Sequence, residues 1–186
     1  MKKSGFSETG LREIGRIITL FALYIYDISE VDLCYLKKIS WYEGILEFGD
    51  EDGLLPPIQK NYKAHIEDFF VELLMGVVSN LEKVDGEIKI NLVNWNFDRL
   101  HPIDKAILRM SVYSLIYRFD IPPEVTIFQA NEMAEDYSDD KSYKYINGIL
   151  HSVKEKFRRN FLLDTGSVSK KKHVKKIRII KGVKKR

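Results

Sequence analysis

The chain is short of thiols: across 186 residues it carries one cysteine, Cys34. That excludes a disulfide framework and a thiolate metal cluster. Its four histidines, His65, His101, His151 and His173, show no HxxxH or other ligand spacing, so no metal centre is expected. No apolar run reaches the roughly 20 residues that span a bilayer. The N-terminus, Met1-Lys2-Lys3-Ser4-Gly5, begins with basic charge but lacks the apolar core of a signal peptide. There is no GxxxxGK[ST], GxGxxG or GxSxG. Neither nucleotide-phosphate nor hydrolase chemistry has a motif to rest on, no cofactor is implied, and catalysis is not expected. The expected setting is the cytoplasm.

What is present is core material and charge. Hydrophobic residues make up 45% of the chain and charged residues 31%, enough for one domain with a tail to spare. The formal net charge of +3 hides an asymmetry. Residues 165–186 hold ten Lys or Arg and no acid, which leaves 20 basic against 27 acidic residues in 1–164, a net of −7. A basic tail on an acidic body signals an anionic partner. The domain reading is a helical body over 1–164 and a basic tail without fixed structure over 165–186.

The body reads as all-α. Its centre is predicted at Pro102–Tyr117. Pro102 suits a first helical turn, where its missing N–H would go unpaired anyway, and Asp104 places negative charge near the positive end of the helix dipole. Ile103, Ala106, Ile107, Met110, Ser114 and Tyr117 form one face, while Leu108, Val112, Leu115 and Ile116 cover much of the other. A helix apolar on most of its circumference must be wrapped by others. Pro122-Pro123 ends the segment.

Around it, apolar residues at 3- and 4-residue spacing predict a helix to about Ile28, a second over Leu33–Phe48, and a third from Ile58 to Lys83 ended at Asp85-Gly86. A short one over Ile88–Trp95, one from Pro123 to Tyr137, and one from Lys141 to Arg159 capped by Ser138-Asp139-Asp140 complete the set. Gly148 inside the last predicts a close backbone approach, since it costs about 1 kcal/mol against alanine. Asn131 and Asn147 have poor helix propensity, and each predicts a specific hydrogen bond.

Several acids invite a chemical reading: Asp98, Asp104, Glu132, Glu135, Asp136, Asp139 and Asp140. Helix starts and exposed faces account for most of them through capping and solvation. Arg12 and Arg16, four apart, share one helix ridge and would pass alone for solvated charges. Tyr24 and Tyr145 would pass for aromatics at the edge of the core.

A series of blocks in register changes that reading. Ala22-Leu23-Tyr24 with Asp27 is the first. Phe97-Asp98-Arg99-Leu100 leads into Asp104-Lys105-Ala106-Ile107-Leu108-Arg109, and then Val112-Tyr113-Ser114-Leu115. Asp120-Ile121-Pro122-Pro123-Glu124-Val125 with Ala130-Asn131-Glu132 and Ala134 follows. Ser142-Tyr143-Lys144-Tyr145-Ile146-Asn147-Gly148-Ile149-Leu150 closes the series. Together they resemble the NusB transcription-antitermination family over about residues 10–157.

The resemblance implies an all-α bundle of about seven helices in two packed subdomains. It implies a non-enzymatic factor that binds boxA single-stranded RNA of ribosomal RNA leader transcripts with the ribosomal protein NusE. The pair loads the antitermination complex onto RNA polymerase. Carried over by position, RNA contact falls on Arg12, Arg16, Tyr24, Lys144 and Tyr145, and the partner-binding surface on Lys141. No catalytic residue, metal or cofactor is implied, and no membrane.

The chain departs from the family at Glu13 and Ile14, where basic residues are common, and at Lys141, where an acid is common. Phe128-Gln129 stands in place of Asn-Glu, the segment Asp32–Pro57 is longer than typical, and the basic tail is not a general family feature. A protein-interaction scaffold of the same fold with weak RNA specificity is the alternative. NusB-like domains also occur fused ahead of RNA methyltransferases, but 22 tail residues are too few for a cofactor domain.

Overall fold

The computed structural model describes residues 8–48, 55–92, 96–139 and 141–158, all in helices, turns and short connections. Among them the helices are α1 (Glu8–Ile28), α2 (Leu33–Leu36), α3 (Ser40–Phe48), α4 (Lys63–Ser79), α5 (Leu81–Asn91), α6 (Pro102–Tyr117), α7 (Pro123–Tyr137) and α8 (Ser142–Arg158). Single 3-10 turns at Lys60–Tyr62 and Phe97–Arg99 lead into α4 and α6.

The central helix is where the sequence puts it. Thirteen of the sixteen residues of α6 are buried, and α1, α4, α5, α7 and α8 all pack on it. On one side α1 lies against both α4 and α6; on the other α7 and α8 pair with each other and with α6. Ile18, Leu20, Phe70, Leu74, Ile107, Leu108, Val112, Leu115, Ile146 and Leu150 belong to one continuous apolar cluster. The two helical groups therefore share a core, with α6 as the common wall.

Two predicted helices are broken. Leu33–Phe48 divides into α2 and α3, because the carbonyl of Leu36 left open at the break accepts a bond from the Trp41 indole N–H at 2.8 Å. The turn keeps Leu36, Ile39, Trp41 and Tyr42 buried, so the apolar spacing survives a break in the backbone. The segment from Ile58 begins as a 3-10 turn and ends at Asn80, whose side-chain amide donates to the Gly76 carbonyl at 2.8 Å. Helix resumes at Leu81 and runs through Asp85 and Gly86, so that pair is not a stop. Asp85 is engaged with Arg109, and no atom outside the helix approaches a Cβ placed at Gly86. Of the predicted Ile88–Trp95 helix, residues 88–91 are the last turn of α5, and residues 93–95 lie outside the described residues.

Three buried polar ties fix the helices around α6. Arg109 donates to Asp85 through Nε at 2.8 Å and Nη2 at 2.9 Å, and to Asp27 through Nη1 at 2.7 Å. This joins α6 to α5 and α1. Arg158, at the end of α8, donates to the carbonyls of Leu115 at 2.7 Å and Ser114 at 3.0 Å, and to that of Arg118. The Ser114 and Arg118 carbonyls also accept the backbone N–H groups of Arg118 and Ile121, so Arg158 adds a side-chain tie from α8 to the end of α6. The third tie is Asp104, described below. Asn131 Nδ2 donates to Asn147 Oδ1 at 3.0 Å across α7 and α8, which is the specific bond their low helix propensity predicts. Gly148 has no close neighbour; the expected tight approach is absent, and nothing in the structure explains that glycine.

The Asp140 cap and the tail from residue 165, with the boundary at 164, lie outside the described residues.

Candidate nucleic-acid interface

Two groups of side chains form at opposite ends of α6. The Arg109–Asp27 bond and the proximity of Arg16 to Arg118 set α1 antiparallel to α6. The α1 arginines therefore sit at the C-terminal end of the central helix. The α7–α8 turn sits at its N-terminal end, about 20 Å away at 1.5 Å per residue.

At the first end, Arg12 and Arg16 are successive positions on one row of α1. Between them Gly15 lets the Phe69 ring of α4 lie on the helix backbone; a Cβ there would stand 2.6 Å from Phe69 Cδ1. Three guanidinium groups surround that ring: Arg16 at 5.3 Å, Arg118 at 5.7 Å and Arg12 at 5.8 Å from its centroid. Distances below 6 Å are in the cation–π range.

The three charges differ in their counter-ions. Arg12 pairs with Glu8 at 3.0 Å. Arg118 makes a fork with Asp120 at 2.9 Å through Nε and Nη2, and faces Glu72 at 3.3 Å. No carboxylate lies within ion-pair distance of Arg16 among the described residues. Arg16 is also only 8% exposed. Burial first, then the positive charges of Arg12 and Arg118, lower its pKa to about 10. It remains charged at neutral pH, beside two guanidinium groups whose own carboxylate partners are Glu8, Asp120 and Glu72.

Glu13, where basic residues are common in the family, opposes this corner. Its carboxyl is pushed above the usual range by burial and by Glu132, against a lowering by Arg16, with Asp136 adding to the rise. An acidic edge from α7 therefore borders the arginines of α1. Tyr24 follows on α1, about 12 Å beyond Arg16, half-buried against the core. Phe21 meets Tyr137 edge-on at 5.4 Å, which leads from α1 to the second group.

At the second end, Lys141, Lys144 and Tyr145 lie together at the start of α8, both lysines exposed and the tyrosine half-buried. The Tyr145 hydroxyl donates to Asp104. Burial first, then that carboxylate, raise the phenol's pKa. Asp104 stands at a helix start, as expected, but solvation does not account for it: it is 2% exposed.

The structure thus brings Arg12 together with Arg16, and Lys141 and Lys144 with Tyr145, while Tyr24 stands between the two sets. Sequence reasoning missed Phe69 and Arg118. Neither had a local signal, because they reach Arg12 and Arg16 from α4 and from the end of α6. The described residues hold no cluster of His, Cys, Asp or Glu that could bind a metal, and no helix long and apolar enough to cross a membrane.

Fold and site together define an all-helical protein with a cluster of cationic and aromatic side chains at each end of its central helix. A sequence profile of the NusB family matches residues 16–155, and the chain belongs to that family. The Treponema denticola transcription antitermination protein NusB is 39% identical over 145 residues, covering 78% of this chain and 96% of that protein. The structure of T. maritima NusB superposes with a TM-score of 0.64 at 27% identity, over 81% of this chain and 96% of that one. A chain in the crystal structure of antitermination factors NusB and NusE in complex with double-stranded RNA shares the fold. Its TM-score is 0.62 at 21% identity, over 80% of this chain and 98% of that one.

Proposed function

We propose that this chain is a transcription antitermination factor. It binds boxA-type single-stranded RNA of ribosomal RNA leader transcripts together with NusE and recruits the antitermination complex to RNA polymerase. The observation that carries the reading is the family match over residues 16–155. The solved complex of NusB and NusE with RNA supports the choice of partners.

The chemistry of the face agrees. Single-stranded RNA is held by basic side chains on phosphates and by aromatic faces stacking on bases. In this reading Arg12, Arg16 and Lys144 meet phosphates, Tyr24 and Tyr145 meet bases, and Lys141 faces NusE. The reading assigns no reaction to the chain and places it in the cytoplasm with the nascent transcript. The tail, 165–186, adds charge-driven grip without reading sequence.

A second reading, a scaffold with weak RNA specificity, is favoured by one observation: the acidic edge of Glu13, Glu132 and Asp136 beside the arginines. Fluorescence anisotropy with a labelled boxA strand and a scrambled strand, with and without NusE, separates the two. An antitermination factor prefers boxA and gains affinity with NusE. Equal affinity for both strands in the presence of NusE leaves the scaffold.

A further inference from the structure

The Asp104 carboxylate is the unusual group of this molecule. It is buried, yet no cation lies within ion-pair distance of it among the described residues. Its charge is met instead by three hydroxyl groups. Ser138 donates to one oxygen; Ser142, at 2.9 Å, and Tyr145 donate to the other. The N-terminal turn of α6 adds its dipole, with Asp104 at the third helical position after the His101 cap. Burying a carboxylate is costly unless its hydrogen-bonding capacity is filled, and here three neutral donors from one short stretch of chain fill it.

The donors are informative because of where they sit. Ser138 closes α7, Ser142 opens α8, and Tyr145 lies one turn further along α8. One carboxylate from the rigid central helix thus grips both sides of the α7–α8 turn. The turn it grips carries Lys141, and the first turn of α8 carries Lys144 and Tyr145. Capping of α6 alone would need no such convergence, since a cap acts on its own helix.

We propose that Asp104 is a positioning residue of the RNA interface: it fixes the Tyr145 ring and sets the α7–α8 turn so that the ring can receive a base and Lys144 a phosphate. The inference rests on the RNA-binding reading given above. A half-buried tyrosine whose hydroxyl is tied at its far end has its ring direction set before RNA arrives. Less conformational freedom is then lost on binding. Phenylalanine at 145 would stack equally well but would not be tethered, so the hydroxyl should matter to an interaction that the ring face makes.

The test uses the full chain and the labelled boxA strand. Tyr145→Phe removes the tether and keeps the ring; Tyr145→Ala removes both; Asp104→Asn weakens the anchor. Ser138→Ala with Ser142→Ala loosens the turn and keeps the ring and its bond to Asp104, at the loss of the 3.4 Å contact between the Tyr145 hydroxyl and Ser142 Oγ. Thermal unfolding of each identifies the variants that retain the fold. Tyr145→Phe and Asp104→Asn should each lower boxA affinity by about 3- to 10-fold, and their combination by no more than either alone, because both break one coupled unit. A residue that only stabilises the fold would lower the melting temperature and leave affinity unchanged at a temperature where the variant is folded.

If Tyr145→Ala loses affinity while Tyr145→Phe and Asp104→Asn keep it, the ring binds RNA untethered and the inference is overturned. If Asp104→Asn does not fold, the paired serine variant decides in its place by the same criterion. If Tyr145→Ala itself binds boxA as the native chain does, the RNA reading at Tyr145 fails and takes the inference with it. That result differs from the previous one.

Discussion

Replacing Arg109 with methionine keeps a long unbranched side chain in the core but removes the fork that joins three helices. The side chain of Arg109 is 7% exposed, that of Asp85 15% and that of Asp27 21%. Both acids would lose a charge-assisted partner at 2.7–2.9 Å, leaving, among the described residues, Lys105 at 3.8 Å from Asp27. Removing one partner of a fully buried ion pair costs about 3–5 kcal/mol. The two aspartates retain some access to water, which shifts the expected loss below that range, to about 2–4 kcal/mol. For a chain of this length about 3 kcal/mol corresponds to a melting temperature lower by about 6–12 °C.

Urea unfolding followed by circular dichroism at 222 nm measures the loss directly. The compensating substitution gives the sharper result. Asp85→Asn alone should destabilise, because it weakens the fork. The same change in the Arg109→Met background should restore stability, because it removes a half-buried charge left without its partner. A loss below about 0.5 kcal/mol for Arg109→Met would place the residue in the surface class. A further loss on adding Asp85→Asn would show that the carboxylate is satisfied without arginine. Either result refutes the account of how α1, α5 and α6 are held together.

Gly76→Ala should lower stability by about 1–3 kcal/mol through overpacking, although alanine is the better helix former. The new Cβ would stand 2.1 Å from the Tyr113 hydroxyl oxygen, and Tyr113→Leu in the same chain should restore stability; unfolding midpoints decide. Glu13→Gln should raise the melting temperature at pH 7 and leave it nearly unchanged at pH 3. The carboxyl's raised pKa means that the folded state holds its proton more tightly, so stability is full below the ordinary carboxylate range and falls as pH rises through the folded value. A melting temperature unaffected at pH 7 would contradict the acidic edge. Deleting residues 165–186 should flatten the salt dependence of binding to boxA and scrambled RNA alike, by about 0.7 in log–log slope for each phosphate that the tail had neutralised. Weakened binding to boxA alone would make the tail a reader of sequence.

The central helix and its wrapping were legible from residues 102–117 because burial on most of a helix's circumference leaves a pattern that no exposed helix carries. The arginine pair of α1 was legible for a similar reason: i and i+4 share a row whatever packs outside it. The breaks at residues 37–39 and at Asn80 were not. Apolar spacing reports which side chains face inward, and it continues across a turn that keeps the same face buried. The ends of those helices are set by single polar bonds, from the Trp41 indole and the Asn80 amide.

What the sequence by itself determined was the helical class, the identity of the buried helix and, through blocks from Ala22 to Leu150, the family. Each is encoded in periodicity or in residues close together in the chain. Only the tertiary structure decided what the polar residues do. Asp104 reads in sequence as a favourable charge at a helix start, yet it is buried under hydroxyls from 34 to 41 residues away. Arg118 and Phe69 join Arg12 and Arg16 from different helices. A buried charge is tolerated only where partners converge on it, and convergence is a property of the packed helices that no local stretch of sequence contains.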